Sequence, residues 1–274
     1  MRCSIRGSRG CDVRQGRWAA LALAMLVAAA IAAPLLAFYS PDELDLAHRR
    51  DPPSAAHWFG TDDLGRDVFA RVLYGARVSL AVGLLSAALA GASGAAIGGV
   101  AGYAGGALDN LLMRATDAML AVPRLPLLMI AAAVVHPTVP WLVVLIGLAS
   151  WMDTARIARA EVLSLRARDF IEAARGVGAG HARLIAAHLL PNAAPAVIVS
   201  VTLAVGRGIL LESALSFFGV GVQPPQASWG HMLYQAQSTF ATEPWLTFFP
   251  GTFMFVTVLA VNVTGDRLAS TRHV

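Results

Sequence analysis

Few side chains in this 274-residue sequence could do chemistry, and their spacing excludes more than it permits. The seven histidines do not cluster, and the two cysteines, Cys3 and Cys11, both precede the first apolar segment, so no metal-ligand set or disulfide framework is expected. Asp62, Asp63 and Asp67 lack the spacing of a calcium loop. Asp62 with Arg66 and Asp67 with Arg71 are four apart, and they read as solvated, paired helix charges. Ser93, within Gly91-Ala92-Ser93-Gly94, would need a facing histidine to become a nucleophile, and no histidine lies in the middle of an apolar segment. Lysine is absent, which removes a P-loop lysine, a Schiff base and a polylysine tail for nucleic acid. No cofactor, bound metal or nucleic acid is expected. Arg207 and Glu212 stand inside an apolar segment, where ionisable groups are costly and are functional candidates. They are five positions apart, about 140° around an ideal helix, so pairing is not assumed. Glu212 could line a translocation path or contact water at an outer mouth.

A docking surface is better supported than a catalytic centre. From Asp169 to Asn192, Phe170, Ile171, Ala173, Ala174 and Val177 supply helical spacing, with Asp169 able to cap the start. Gly176, Gly178 and Gly180 then stop that helix, and a second short run, Ala182 to Leu190, leads to Pro191 and Pro195, which suit the start of a new helix better than its interior. Six arginines lie between Arg156 and Arg183, and an arginine-rich short connection between spans belongs on the cytoplasmic side.

The elements that must carry this hairpin are membrane spans. Hydrophobic residues are 57% and charged residues 14%, against about 25% charged in an ordinary soluble chain. Mean hydropathy is +0.61, and the pI near 9.7 comes entirely from arginine. Residues 1–17 hold five arginines and one acid and read as a cytoplasmic start. The following run, Trp18 to about Tyr39, exceeds the 7–15-residue core of a signal peptide and approaches the roughly 20 residues that span a bilayer. Residues 40–77 carry seven acids against five arginines and are expected outside, with Leu64, Val68, Phe69, Val72 and Leu73 forming the stripe of an interfacial helix. A second span is expected from Val78 to about Tyr103, with Gly94 and Gly98 spaced for close helix contact. An interfacial elbow broken at Pro123 and Pro126 then leads into a third, from Asp109 to Val135. Arg124 would snorkel to the cytoplasmic boundary. A tight turn at His136–Pro140, a fourth span to about Thr154, a fifth from Pro195 to about Leu215 and a sixth from Phe248 to about Thr264 complete an all-α, six-span core over residues 78–266 with its first helix at 18–39. Residues 267–274 form a cytoplasmic tail, so both termini are expected inside.

Glu172, Ala173 and Ala174, followed by Gly178 and by Leu190 with Pro191, resemble the EAA loop of the permease subunits of binding-protein-dependent ABC importers. His188 replaces the usual isoleucine, as in the peptide and nickel branch. Gly60 to Leu80, the Trp151, Arg156 and Arg159 group, and Ile209 to Gly230 are similar to the C-type subunit of that branch, while Arg207 is not carried over. The resemblance implies a type I importer permease in a bacterial inner membrane. Its partners would be a second permease subunit, two cytoplasmic ATPase subunits that use the ATP, and an extracytoplasmic solute-binding protein. Glu172, Ala173, Ala174, Gly178, Leu190 and Pro191 would contact an ATPase around residues 156–195. Di- or oligopeptides are the expected cargo, with nickel or another metal chelate as the alternative. Two further readings are a secondary transporter and, because Gly91 to Gly94 resembles a rhomboid serine motif, an intramembrane protease.

Overall fold

The computed structural model describes residues 8–135 and 138–270. Residues 1–7 of the arginine-rich start, with Cys3, and residues 271–274 of the tail fall outside them, as do His136 and Pro137 of the expected turn. Among the described residues the structure is all-helical apart from one isolated bridge, Thr61 to Asp67. The helices are α1 (Ser8–Ile31), α2 (Ala33–Leu36), α3 (Val68–Ala104), α4 (Gly106–Ala121), α5 (Arg124–Val134), α6 (Val139–Leu148), α7 (Trp151–Arg166), α8 (Asp169–Gly176), α9 (His181–Phe217), α10 (Trp229–Ala236) and α11 (Trp245–Ser270).

Three of these, α3, α9 and α11, are long and apolar enough to cross a membrane, and the bent pairs α4 with α5 and α6 with α7 raise the count to five. The remaining expected span is a shorter apolar helix, Arg17–Ile31. It breaks at Ala32 because Pro34, in the first turn of α2, has no N–H to continue the ladder. The elbow expected near Pro123 is an 82° bend, and the fourth span bends by 44° between α6 and α7.

The second span begins ten residues earlier than its hydropathy suggests. No separate interfacial helix exists: residues 60–67 form a turn, in which Gly60 and Gly65 take φ +76° and +75°, and Asp67 caps α3 by accepting from Ala70 N at 2.8 Å. Val68 and Val72 are buried against Met232, Ala236 and Leu246, with Phe59 and Phe249 stacked beside them at 3.8 Å between centroids. The charges expected to be solvated are buried too. Asp62 accepts from Arg66 Nε at 2.7 Å, Asp67 meets His57 Nδ1 at 3.0 Å, and Arg71 donates to the Pro41 carbonyl at 3.0 Å. A charge taken out of water needs such partners, so this cluster fastens residues 40–67 onto the head of α3. Asp67 and Arg71 do not pair with each other; Arg71 faces Asp62 and Asp42 instead.

Pro191 stands at the start of the α-helical stretch Leu190–Phe217 of α9, as expected, whereas Pro195 lies inside it. A π-helical turn over Leu184–Leu189 precedes Pro191, a local change of ladder that lets the helix continue past a residue with no N–H.

The tightest packing is between α3 and α7. A Cβ on Gly94, Gly98 or Gly102 would strike the backbone at Trp151, Ala155 or Arg159 respectively, so glycines four apart on one helix meet residues four apart on the other. Gly91 and Gly83 instead receive the side chains of Val201 and Ile209 of α9. Ser93 spends its hydroxyl on its own helix, donating to the Leu89 carbonyl at 2.7 Å.

Gly98→Ala is expected to lower the thermal midpoint in detergent, with overpacking costing about 1–3 kcal/mol. Gly99→Ala, whose Cβ would meet nothing within 4 Å, should be neutral or slightly stabilising. His231, buried on α10 near Arg71 and Arg66, has its pKa pushed down to about 4, by burial first and then by those cations. The unfolded chain takes up this proton first, so the stability His231 contributes is present above about pH 6.5 and is lost as pH falls toward 4. His231→Gln should flatten that part of a stability–pH curve.

Candidate functional site

The hairpin between α7 and α9 is built around Ile171. Its fully buried side chain sits among Val162, Leu165, Leu184, Leu189 and Ala193, so the short helix α8 is clamped between the end of α7 and the start of α9. Arg166 donates to the Tyr103 carbonyl at 2.9 Å and the Tyr103 hydroxyl bonds His181, which fixes both hairpin limbs to the end of α3.

Glycine is required at one position of the turn. Gly178 adopts φ +85°, with its N–H on the Arg175 carbonyl at 2.9 Å, while Ala179 N reaches the Ala174 carbonyl at 3.0 Å. This pair of bonds is a Schellman closure, and the accompanying apolar contact is made by Ala174 and Ala179 against the Ile171 cluster. The spacing of Ala174 and Gly178 is thus set by how the helix must end. Asp169 does not cap α8; it lies in the first turn, behind Arg168 at the cap, where a carboxylate still favours the helix dipole.

The residues singled out from the sequence divide by exposure. Glu172, Ala173, Gly178, Leu190 and Pro191 are exposed, and Ala174 is half-buried. Two apolar residues assigned to the helical pattern are also on the surface: Phe170 is 39% exposed and Val177 88%. Sequence periodicity could not separate these from Ile171, because it marks apolar positions without saying which are covered. The hairpin therefore presents apolar side chains beside an acid, on a frame held by its own small core, which suits docking of a partner.

Above the hairpin, α7 carries a stripe of charges at three-residue spacing. Arg159 meets Asp109 at 2.7 Å, Arg156 meets Asp117 at 2.5 Å, and Asp153 meets Arg124 at 2.8 Å, so α4 and the start of α5 are laced to α7. Arg124 therefore turns to Asp153 instead of simply snorkelling to a boundary. Arg207 of α9 also donates to Asp153, at 2.7 Å. Glu212 does not contact water: it is fully buried, accepting from Ser79 and Ser216 at 2.8 Å each.

The described residues form an apolar multi-helix frame with an exposed hairpin between α7 and α9. The chain belongs to the family of binding-protein-dependent transport system inner membrane components, whose pattern residues 94–271 match. It is accordingly a multi-pass permease subunit of an ABC importer, a transport protein that has no catalytic domain, needs no cofactor of its own, and acts with a binding protein and other transporter subunits. It is 42% identical over 248 residues to a putative peptide permease protein of Brucella suis, covering 90% of this chain and 82% of the relative. It is 36% identical over 246 residues to the oligopeptide transport system permease protein OppC of Bacillus subtilis, covering 90% and 81%. It is 40% identical over 247 residues to the dipeptide transport system permease protein DppC of the same organism, covering 90% and 77%.

Gly178→Asp is expected to abolish transport while the protein still inserts in the membrane, because a side chain at φ +85° strains the turn by about 1–2 kcal/mol and adds charge to the surface. Gly176→Ala, with nothing within 4 Å, should retain transport. Substrate uptake and membrane-fraction immunoblots check both outcomes.

Proposed function

We propose that this chain is the C-type permease of a peptide importer and that the α7–α9 hairpin is its contact with a cytoplasmic ATPase. Its partners in this reading are a second permease subunit, two ATPase subunits or domains, and a solute-binding protein on the outer side. The observation that carries the ATPase contact is the exposed apolar surface of Phe170 and Val177 beside Glu172, on a hairpin stiffened by Ile171. Glu172 offers a charged anchor, Ala173 and Ala174 allow close approach, Gly178 permits the turn, and Leu190 with Pro191 forms the second edge of the surface. Peptides are favoured as cargo because the relatives described above carry peptide, oligopeptide or dipeptide transport in their names. The hairpin and both termini lie on the cytoplasmic side in this reading, in keeping with six arginines between Arg156 and Arg183.

The mechanism is a population shift. Closure of the ATPases displaces the hairpin, and because α7 is locked to α3 by the glycine contacts, the packed helices rock as a body between inward- and outward-open arrangements.

The test is isolation of the chain from its native membranes in mild detergent, followed by identification of bound proteins. A second permease and ATPases should be recovered with the natural chain. The ATPases alone should be lost from Glu172→Arg, Val177→Asp and Gly178→Asp variants. Retention of ATPases by all three variants would contradict the assigned surface, and recovery of the chain alone would contradict the subunit reading.

A further inference from the structure

We propose that Arg207, held with Arg124 on Asp153, is an anion-binding station of the translocation path that takes the C-terminal carboxylate of a peptide. The inference rests on the peptide reading given above.

The charge balance along α7 motivates it. Arg159 and Arg156 each have an aspartate of their own, Asp109 and Asp117. At the top of the stripe this matching fails: Arg124 Nη2 and Arg207 Nη1 donate to the same Asp153 oxygen, Oδ2, at 2.8 and 2.7 Å. Two guanidinium groups on one carboxylate leave a surplus positive charge. Each guanidinium has five N–H donors, and among the described residues each gives one hydrogen bond, to Asp153. The remaining donors can take a second carboxylate in the forked geometry that arginine favours. Glu212, the one acidic residue of α9, is committed to Ser79 and Ser216 and does not supply the missing negative charge.

The position fits a path. Arg207 lies ten residues before the end of α9 at Phe217, about 15 Å along the helix axis. Arg124 is the first residue of α5 and Asp153 is in the first turn of α7, so the node sits where both bent pairs break. The Arg207 side chain is 44% exposed, and Arg124 and Asp153 are 24% and 29% exposed. A partly bare charge on a span is costly against lipid and belongs on a bundle interior or a water-filled cavity. Leu210 of α9 and Leu127 and Ile130 of α5 are exposed apolar side chains on the elements flanking the node. Exposed apolar side chains beside a charged anchor suit a cargo whose side chains vary and whose terminal carboxylate does not.

The complete transporter, reconstituted in liposomes with its binding protein, supplies the test through uptake of radiolabelled trialanine and of its C-terminal amide. The binding protein's own preference is common to all permease variants, so the ratio of the two rates isolates the permease. Arg207→Gln should reduce the free-acid to amide ratio about tenfold or more, the loss expected for a hydrogen bond between charged groups. Arg207→Lys should give an intermediate ratio. An unchanged ratio in an assembled Arg207→Gln transporter would overturn the inference and leave the peptide reading standing. No uptake of either peptide by the unsubstituted transporter would overturn the peptide reading itself. Should Arg207→Gln fail to assemble on gel filtration, Arg124→Gln decides the question: a reduced ratio supports the station and an unchanged one overturns it.

Discussion

Everything on the hairpin side of this protein depends on the backbone-to-backbone contact of α3 with α7. Gly94, Gly98 and Gly102 present no side chain, so the α7 backbone at Trp151, Ala155 and Arg159 rests directly on α3. Lipid removes the hydrophobic drive that would join these helices in water, and close dispersion contact must take its place. A register shift of one residue would put a side chain into the backbone of the partner helix. The contact therefore fixes rotation as well as separation. With that rotation set, Asp153, Arg156 and Arg159 point at α4 and the start of α5, and the end of α7 delivers the chain to α8 at a defined angle.

Two ionic assemblies extend the frame in opposite directions. On one side the stripe on α7 gathers both bent spans, so the 82° and 44° breaks are braced instead of acting as free hinges. On the other, Asp62, Arg66, Asp67, Arg71 and His57 fasten residues 40–67 to the head of α3. Both are charge-dense structures in a chain with only 14% charged residues. The pairs at the head of α3 are buried, a weak source of stability but a strong source of geometric definition, because an unpaired member is costly.

The helical class, the hairpin and its glycine stop were legible in the sequence, since Ala174 and Gly178 have the spacing a Schellman closure demands. The glycine spacing on α3 was legible for a similar reason: removal of a side chain leaves a mark that needs no partner to interpret. What escaped depended on partners distant in the chain. The pairs on α7 join residues 29, 39 and 50 positions apart, and Arg207 reaches Asp153 across 54. The four-residue rule wrongly joined Asp67 to Arg71 because helix capping and His57 compete for the same carboxylate. Pro195 misled because a proline suits the start of a new helix, whereas α9 runs through it. Hydropathy likewise located the apolar part of α3 but missed its first ten residues, where buried charge replaces apolar pattern.

The central claim is that α4, α7 and the hairpin move as one rigid unit. Its most direct test is a distance measurement by electron spin resonance in the assembled transporter, with Cys3 and Cys11 replaced and spin labels at Val177 and Leu111, which are 88% and 66% exposed. The account predicts a single narrow distance distribution, unchanged between nucleotide-free and ATP-bound states, while distances from Val177 to the second permease change. A nucleotide-dependent shift between Val177 and Leu111 themselves would contradict it, because the hairpin would then move without the helices it is meant to drive.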